Sequence, residues 1–353
     1  MNTEECQTSD VFVAGSVFLD IIFTGMLGAP SGGHEIWTDG MGSSPGGVAT
    51  LAVACSRLGL STTLSAAFGG DVYGDYCWNT LAESENIDLS HSRRFSDWHS
   101  PVTVSLAFDD DRAMVTHAHE PPISVEELLG EVPRARFAFA DMGHERATWV
   151  DTMVANGTKI FADVGWDATE RWNRGELLER LDGCHAFVPN AIEAMAYTNT
   201  DSPGAAVEEL REWVPLAVVT AGKGGAFAAD ASTGETAWVP GVRVEALDPT
   251  GAGDVFLAGL MAGEAAGWSL IHRLRFANLC AALSVRGFGG ALASPGWADI
   301  ARWWATAKVQ DRFARDFEFL EDVLPTKDQR PVSRAVVTIG FAMPGPDSNK
   351  EKS

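Results

Sequence analysis

Short apolar runs that end on glycine or an acidic residue punctuate this chain, and between them apolar positions recur at helical spacing. Residues 11–15 read as a buried strand closing on Gly15, with Asp20 just beyond it. Residues 48–58 take up helical spacing until Gly59. Residues 64–68 form the next strand, closed by Gly69-Gly70-Asp71, and residues 73–82 the next helix. The rhythm resumes at residue 137, with strands expected near 137–140, 159–163, 186–188 and 216–220. Strands alternating with helices predict an α/β domain on a mostly parallel sheet. Ligands of such sheets bind beyond the carboxyl ends of the strands, where Asp163, Asn190, Thr220 and Asp254 are expected to fall.

One segment breaks the pattern. Val102, Val104, Leu106 and Phe108 alternate with Thr103, Ser105 and Ala107, then Asp109-Asp110-Asp111 turns the chain and residues 113–116 return. This predicts an antiparallel hairpin. With the Gly-, Ser- and Pro-rich stretch 24–47 as its partner, the hairpin predicts a small sheet standing off the main domain.

Composition narrows the function. A chain of 353 residues with 46% apolar content can bury a large core. No apolar run approaches the roughly eighteen residues of a membrane span, and the acidic N-terminus lacks the regions of a signal peptide, so a soluble cytoplasmic protein is expected. The five cysteines (Cys6, Cys55, Cys77, Cys184 and Cys280) are widely spaced, with no C-x-x-C, and are expected to be reduced and mostly buried. Lys and Arg number 26 against 48 Asp and Glu, a formal charge of −22 that repels nucleic acid and anionic lipid. An acidic protein that handles polyphosphate has to borrow metal charge, so Mg²⁺ arriving with a nucleotide is expected.

The most informative stretch is Asp248-Pro249-Thr250-Gly251-Ala252-Gly253-Asp254, followed by an apolar run of helical spacing. Gly251 and Gly253 let the backbone turn where a side chain would clash, and the amides of Gly251, Ala252 and Gly253 at a helix start would attract an anion. Asp254 in the first turn would accept a proton from a hydroxyl attacking phosphorus. The helix dipole is expected to keep Asp254 ionised, which makes it a weak base. Read alone, a G-x-G-D segment is more often a glycine turn with an acidic cap. The spacing G-x-x-x-x-G-K-[ST] of a Walker A loop is missing, and no strand-linked G-x-G-x-x-G supports a dinucleotide enzyme.

The whole heptad resembles the second signature of the ribokinase-like (PfkB) family of sugar and nucleoside kinases. Other motifs of that family follow in its order over roughly residues 10–325. Pro45-Gly46-Gly47, leading into a helix that ends in Arg57-Leu58-Gly59, resembles the first signature, where Gly46 and Gly47 would lie against a sugar and Thr50 stands where the family has an asparagine. A threonine lacks the reach and second donor of an amide, which opens the identity of the substrate. Asp20 matches the carboxylate that holds sugar hydroxyls. Gly69-Gly70-Asp71-Val72-Tyr73-Gly74 resembles a pocket-shaping turn with a structural role. Residues 159–163 match the strand ending in Asp163, although the basic contact expected just after it is absent. Asn190 and Glu193 resemble the N-x-x-E element that arranges waters about Mg²⁺. Thr220, Gly222 and Gly225 resemble the loop along the nucleotide phosphates, with Lys223 placed to neutralise charge, and Asn278 resembles the wall of the adenine pocket. Carbonyls near Asp248 and Thr250 suggest a site for a monovalent cation such as K⁺.

The resemblance implies a three-layer α/β/α fold with a small β-sheet lid: a nucleotide-binding core at 1–15, 46–96 and 120–325, a lid over the sugar at 16–45 and 97–119, and a C-terminal extension at 326–353, with a short strand at 335–339 and a loose end. It implies an ATP-dependent kinase of ribose, fructose or sugar-acid type, dimeric through the lid. A nucleoside kinase and a catalytically silent ligand-binding protein of the same fold are the alternatives. Phe18, Trp37, Trp98 and Trp166 are further candidates for ring faces against a sugar. His117 and His119 can ligate metals but have no third partner nearby in sequence, and read as lid or pocket lining. Asn156-Gly157-Thr158 reads as a turn.

Overall fold

In the computed structural model, residues 9–26, 28–38, 40–108, 111–165, 171–287 and 289–324 are described. The expected extension at 326–353 and Trp166 lie outside them, as do Asp109 and Asp110 of the hairpin turn. The strands are β1 (Ser9–Ala14), β2 (Val17–Met26), β3 (Gly40–Gly47), β4 (Thr62–Ser65), β5 (Ala67–Gly69), β6 (Arg93–Phe95), β7 (Val102–Phe108), β8 (Asp111–His117), β9 (Ala135–Asp141), β10 (Lys159–Asp163), β11 (Ala186–Phe187), β12 (Leu216–Thr220), β13 (Ala226–Asp230) and β14 (Glu235–Val239). The helices are α1 (Ala49–Arg57), α2 (Val72–Asn79), α3 (Val125–Leu129), α4 (Thr148–Ala155), α5 (Arg174–Arg180), α6 (Ala191–Thr198), α7 (Pro203–Leu210), α8 (Ala252–Ala265), α9 (Leu270–Ser284), α10 (Trp297–Ala307), α11 (Asp311–Phe317) and α12 (Leu320–Val323).

Eight strands form the main sheet in the order β14-β13-β12-β11-β10-β9-β1-β4. Six are parallel, from β12 to β4, and β13 and β14 extend the sheet antiparallel at one edge. The parallel strands are buried on both faces, which is why they read as continuous apolar runs. Alternate side chains then feed two cores. Val11, Val13, Phe137, Phe161, Leu216 and Val218 pack with α1, α8 and α9. Phe12, Ala138, Ile160, Phe187, Ala217 and Val219 pack on the other face with α4, α6 and α7. The result is the expected three-layer α/β/α arrangement.

Helix α8 is buried from Val255 through Gly263, apolar all round because it runs inside one of these cores. Its small residues admit a close neighbour: a Cβ on Gly259 would stand 2.8 Å from the Cα of Ala277 in α9. Helix α1 is anchored by Arg57, whose guanidinium makes paired bonds of 2.9 and 2.6 Å to the Glu85 carboxylate and also donates to the carbonyls of Leu292 and Ser294.

The second sheet has the order β3-β2-β7-β8. The predicted hairpin is β7 and β8, joined in parallel to β2, which pairs antiparallel with β3. Its reach is wider than the glycine-rich stretch suggested, since β2 starts at Val17, directly after β1.

Candidate active site

Because β9 to β12 are parallel, their carboxyl ends lie along one edge of the main sheet. Asp141 ends β9 and stands in register with Asp163 at the end of β10. Asn190 follows β11 and bridges to Thr220, the last residue of β12. Burial first, and then the negative charges of Glu193, Asp254 and Asp141, push the Asp163 carboxyl well above its ordinary range. Four carboxyl groups therefore share one neighbourhood. Asp141 was not singled out in the sequence, because a lone Asp at a strand end gives no local signal; its Oδ1 accepts from the Gly143 amide at 2.7 Å.

Helix α8 starts at Gly251, whose φ of +74° is left-handed and suits glycine. A Cβ on Gly251 would stand 2.5 Å from Thr50 Cγ2, whereas one on Gly253 would meet nothing within 4 Å. The turn thus rests on α1 and opens above Gly253. The Ala252 amide does not contribute as expected, since it donates to the Pro249 carbonyl at 3.2 Å, part of the turn itself. Among the described residues the amides of Gly251 and Gly253 have no acceptor within the chain.

Asp254 sits in the first turn of α8, half-buried as a residue. Burial of its carboxyl raises the pKa from 3.8 to about 7. This corrects the expectation of a carboxylate kept ionised by the dipole, because enclosure between α1 and the acidic strand ends outweighs the helix start. A carboxyl poised near 7 is a better base than the sequence suggested.

Asp20 lies on β2, opposite Ser44 of β3 and Thr103 of β7. A Cβ on Gly46 would fall 2.0 Å from Asp20 Oδ2, so Gly46 is what makes room for this carboxylate. Gly47 has φ +62° and gives the same space to the ring of Phe18. Thr50 is only 3% exposed and faces Gly251.

Asn190 caps α6: its Oδ1 accepts from the Ile192 and Glu193 amides at 2.9 and 3.1 Å, while Glu193 Oε2 accepts from the Asn190 amide at 3.0 Å. Glu193 is 6% exposed, and burial raises its pKa against these hydrogen bonds. The loop after Thr220 is a short turn at Gly222–Gly224, and Gly225, at φ +90°, lies so close to the Val239 carbonyl that no side chain fits. Lys223 in that turn is exposed. The Asn278 side-chain nitrogen donates to the carbonyls of Val239 at 3.2 Å and Pro240 at 3.5 Å. The Asp248 carboxylate is buried and accepts from Thr250 at 2.9 Å and Gly289 at 3.4 Å, tying two loops together.

The Gly69-Gly70-Asp71 turn is structural in its contacts: Asp71 takes the Gly74 amide and both the amide and hydroxyl of Ser100. His117 and His119 acquire a neighbour, His99, at ring-centroid distances of 5.6 and 6.4 Å, but the rings meet edge to face. Among the described residues no three His, Cys, Asp or Glu side chains form a ready metal-ligand set. Trp37 is 85% exposed, and Trp98 donates to the Glu120 carbonyl. Cys55, Cys77, Cys184 and Cys280 are free and buried. No described helix is long and apolar enough to cross a membrane.

Comparison with known proteins gives one answer. The family described as "pfkB family carbohydrate kinase" matches residues 37–296. A fructokinase of Salmonella typhimurium is 28% identical over 284 residues, 73% of this chain and 91% of that protein. A pseudouridine kinase of Escherichia coli (strain K12) is 25% identical over 258 residues, 69% of this chain and 80% of its own. A ribokinase II-like protein of E. coli, solved in complex with ATP and Mg²⁺, superimposes with a TM-score of 0.69 at 21% identity, covering 84% of this chain and 99% of the other. That likeness establishes the ribokinase fold.

Proposed function

The chain belongs to the pfkB family of carbohydrate kinases, and from that premise we propose that it transfers the γ-phosphoryl group of ATP to a hydroxyl of a sugar of ribose, fructose or sugar-acid type. At the coarser level it is a sugar or nucleoside kinase, a phosphotransferase with an alcohol acceptor. One observation carries the finer reading: a carboxyl raised to about 7 beside two uncommitted amides at the open start of a buried helix.

In this reading Asp20, Gly46 and Gly47 hold the acceptor. Its hydroxyl gives its proton to Asp254 as the oxygen bonds to the γ-phosphorus, and the bond to the bridging oxygen of ADP breaks. The amides of Gly251 and Gly253 take the charge on the moving group, a stabilisation aimed at the transition state. Thr220, Gly222 and Gly225 line the nucleotide phosphates, and Asn278 the adenine.

The donors near Asp254 are all oxygens and carry an excess of negative charge, which fits Mg²⁺. Glu193 would hold the ion through water, with Asn190 orienting Glu193. When bound, Mg²⁺ neutralises charge on the transferred phosphoryl group. The loops that Asp248 ties together would hold K⁺ through the carbonyls of Asp248 and Thr250. The same proposal makes the four-stranded sheet a lid and a homodimer contact, and places the chain in the cytoplasm.

The test is ADP release from Mg·ATP with D-fructose, D-ribose and pseudouridine. Turnover with a sugar is expected. Turnover with pseudouridine alone would move the reading to a nucleoside kinase, and turnover with none would contradict it.

A further inference from the structure

Thr50 reaches the anion-binding turn from beneath. It lies in the first turn of α1 and is 3% exposed. A Cβ placed on Gly251 would stand 2.5 Å from the Thr50 methyl carbon Cγ2 and 3.7 Å from its Oγ1. The methyl group, not the hydroxyl, is therefore the part of Thr50 that fills the space a side chain on Gly251 would need. Among the described residues the Thr50 hydroxyl has no hydrogen-bond partner.

We propose that Thr50 is a positioning residue for phosphoryl transfer: its methyl packs against Gly251 and keeps the turn in the left-handed conformation that aims the Gly251 and Gly253 amides into the cleft. This rests on the reading of that turn as the transfer site, and it gives Thr50 a role other than contact with the acceptor. Glycine is the residue with the widest backbone freedom, so a turn built on it holds one conformation only when its surroundings fill the alternatives. Removing one methyl leaves a void next to the most permissive backbone position in the site. The amides would then point away from the charge that develops in the transition state, while substrates bind as before.

Two substitutions separate the methyl from the hydroxyl. Thr50→Ser keeps the hydroxyl and loses the methyl; Thr50→Val keeps the shape and loses the hydroxyl. Thr50→Ser is expected to lower kcat about tenfold, as for misaligned rather than missing donors, with the acceptor KM within about twofold. Its affinity for Mg·ADP with tetrafluoroaluminate, which needs no acceptor, is expected to fall by a similar factor of about ten. Thr50→Val, which keeps the methyl, should lose less kcat and analogue affinity than Thr50→Ser, whereas a purely hydroxyl-based role requires the opposite order. Full kcat and analogue affinity in Thr50→Ser, or a loss in Thr50→Val as large as or larger than that in Thr50→Ser, would overturn the proposal. If Asp254→Asn also turned over normally, the reading beneath would fall; if Asp254→Asn were inactive and Thr50→Ser fully active, only the bracing role would fall.

Discussion

At the scale of single residues, the behaviour of Asp254 depends on where the fold puts it. Its carboxyl has a folded pKa of about 7 against 3.8 in the unfolded chain. Below about pH 7 the base is protonated, so kcat/KM is expected to rise with pH and level off above a midpoint near 7, measured with the acceptor at low concentration. A midpoint near 4 would show that the carboxyl is not enclosed in the working enzyme. The presence of this residue and of Gly251 and Gly253 was legible in the sequence because the requirement is local: glycine turn, helix start, acid in the first turn. Its pKa was not, since burial is set by α1 and by strand ends more than ninety residues away in sequence. Asp141 and His99 were missed for the same reason, as each acquires meaning only from a neighbour that the topology supplies.

At the scale of elements, α8 joins the site to the core. Gly259 allows α9 to approach so closely that an added Cβ would fall 2.8 Å from the Ala277 backbone. Alanine is the better helix former by about 1 kcal/mol, yet overpacking typically costs about 1 to 3 kcal/mol. Gly259→Ala is therefore expected to lower stability in denaturant titration, and a gain in stability would show that the two helices can part without loss. The parallel strands were legible because burial on both faces makes them unbroken apolar runs. The antiparallel pair β13 and β14 was not expected: residues 226–230 read Ala-Phe-Ala-Ala-Asp, poor in β-branched side chains, and pairing with β12 is what makes them a strand.

At the scale of the whole molecule, a second charged cluster lies at the other end of α8. Glu264 bonds to Arg273 and to Lys159 at 2.5 Å, with His185 3.3 Å away, and Arg273 continues to Asp230 at 2.5 Å. Burial opposes ionisation, but the nearby His185, Lys159 and Arg273 hold the Glu264 pKa down to about 2. A depressed carboxylate stabilises the fold above its unfolded value of 4.5, and that contribution is lost as pH falls from 4.5 towards 2. Glu264→Gln should accordingly lower Tm at pH 7, with the difference from the parent shrinking below pH 4.5; a constant difference would mean the charge is not what matters. This network ties β10, the residue just before β11, β13, α8 and α9 together from positions far apart in sequence, and no motif announced it.

The base role of Asp254 is tested most directly by single-turnover phosphoryl transfer in Asp254→Asn, with ATP affinity measured alongside. Loss of a general base predicts a rate lower by roughly two to four powers of ten and nucleotide binding little changed. An unaltered rate in folded protein would contradict the role assigned to this carboxyl.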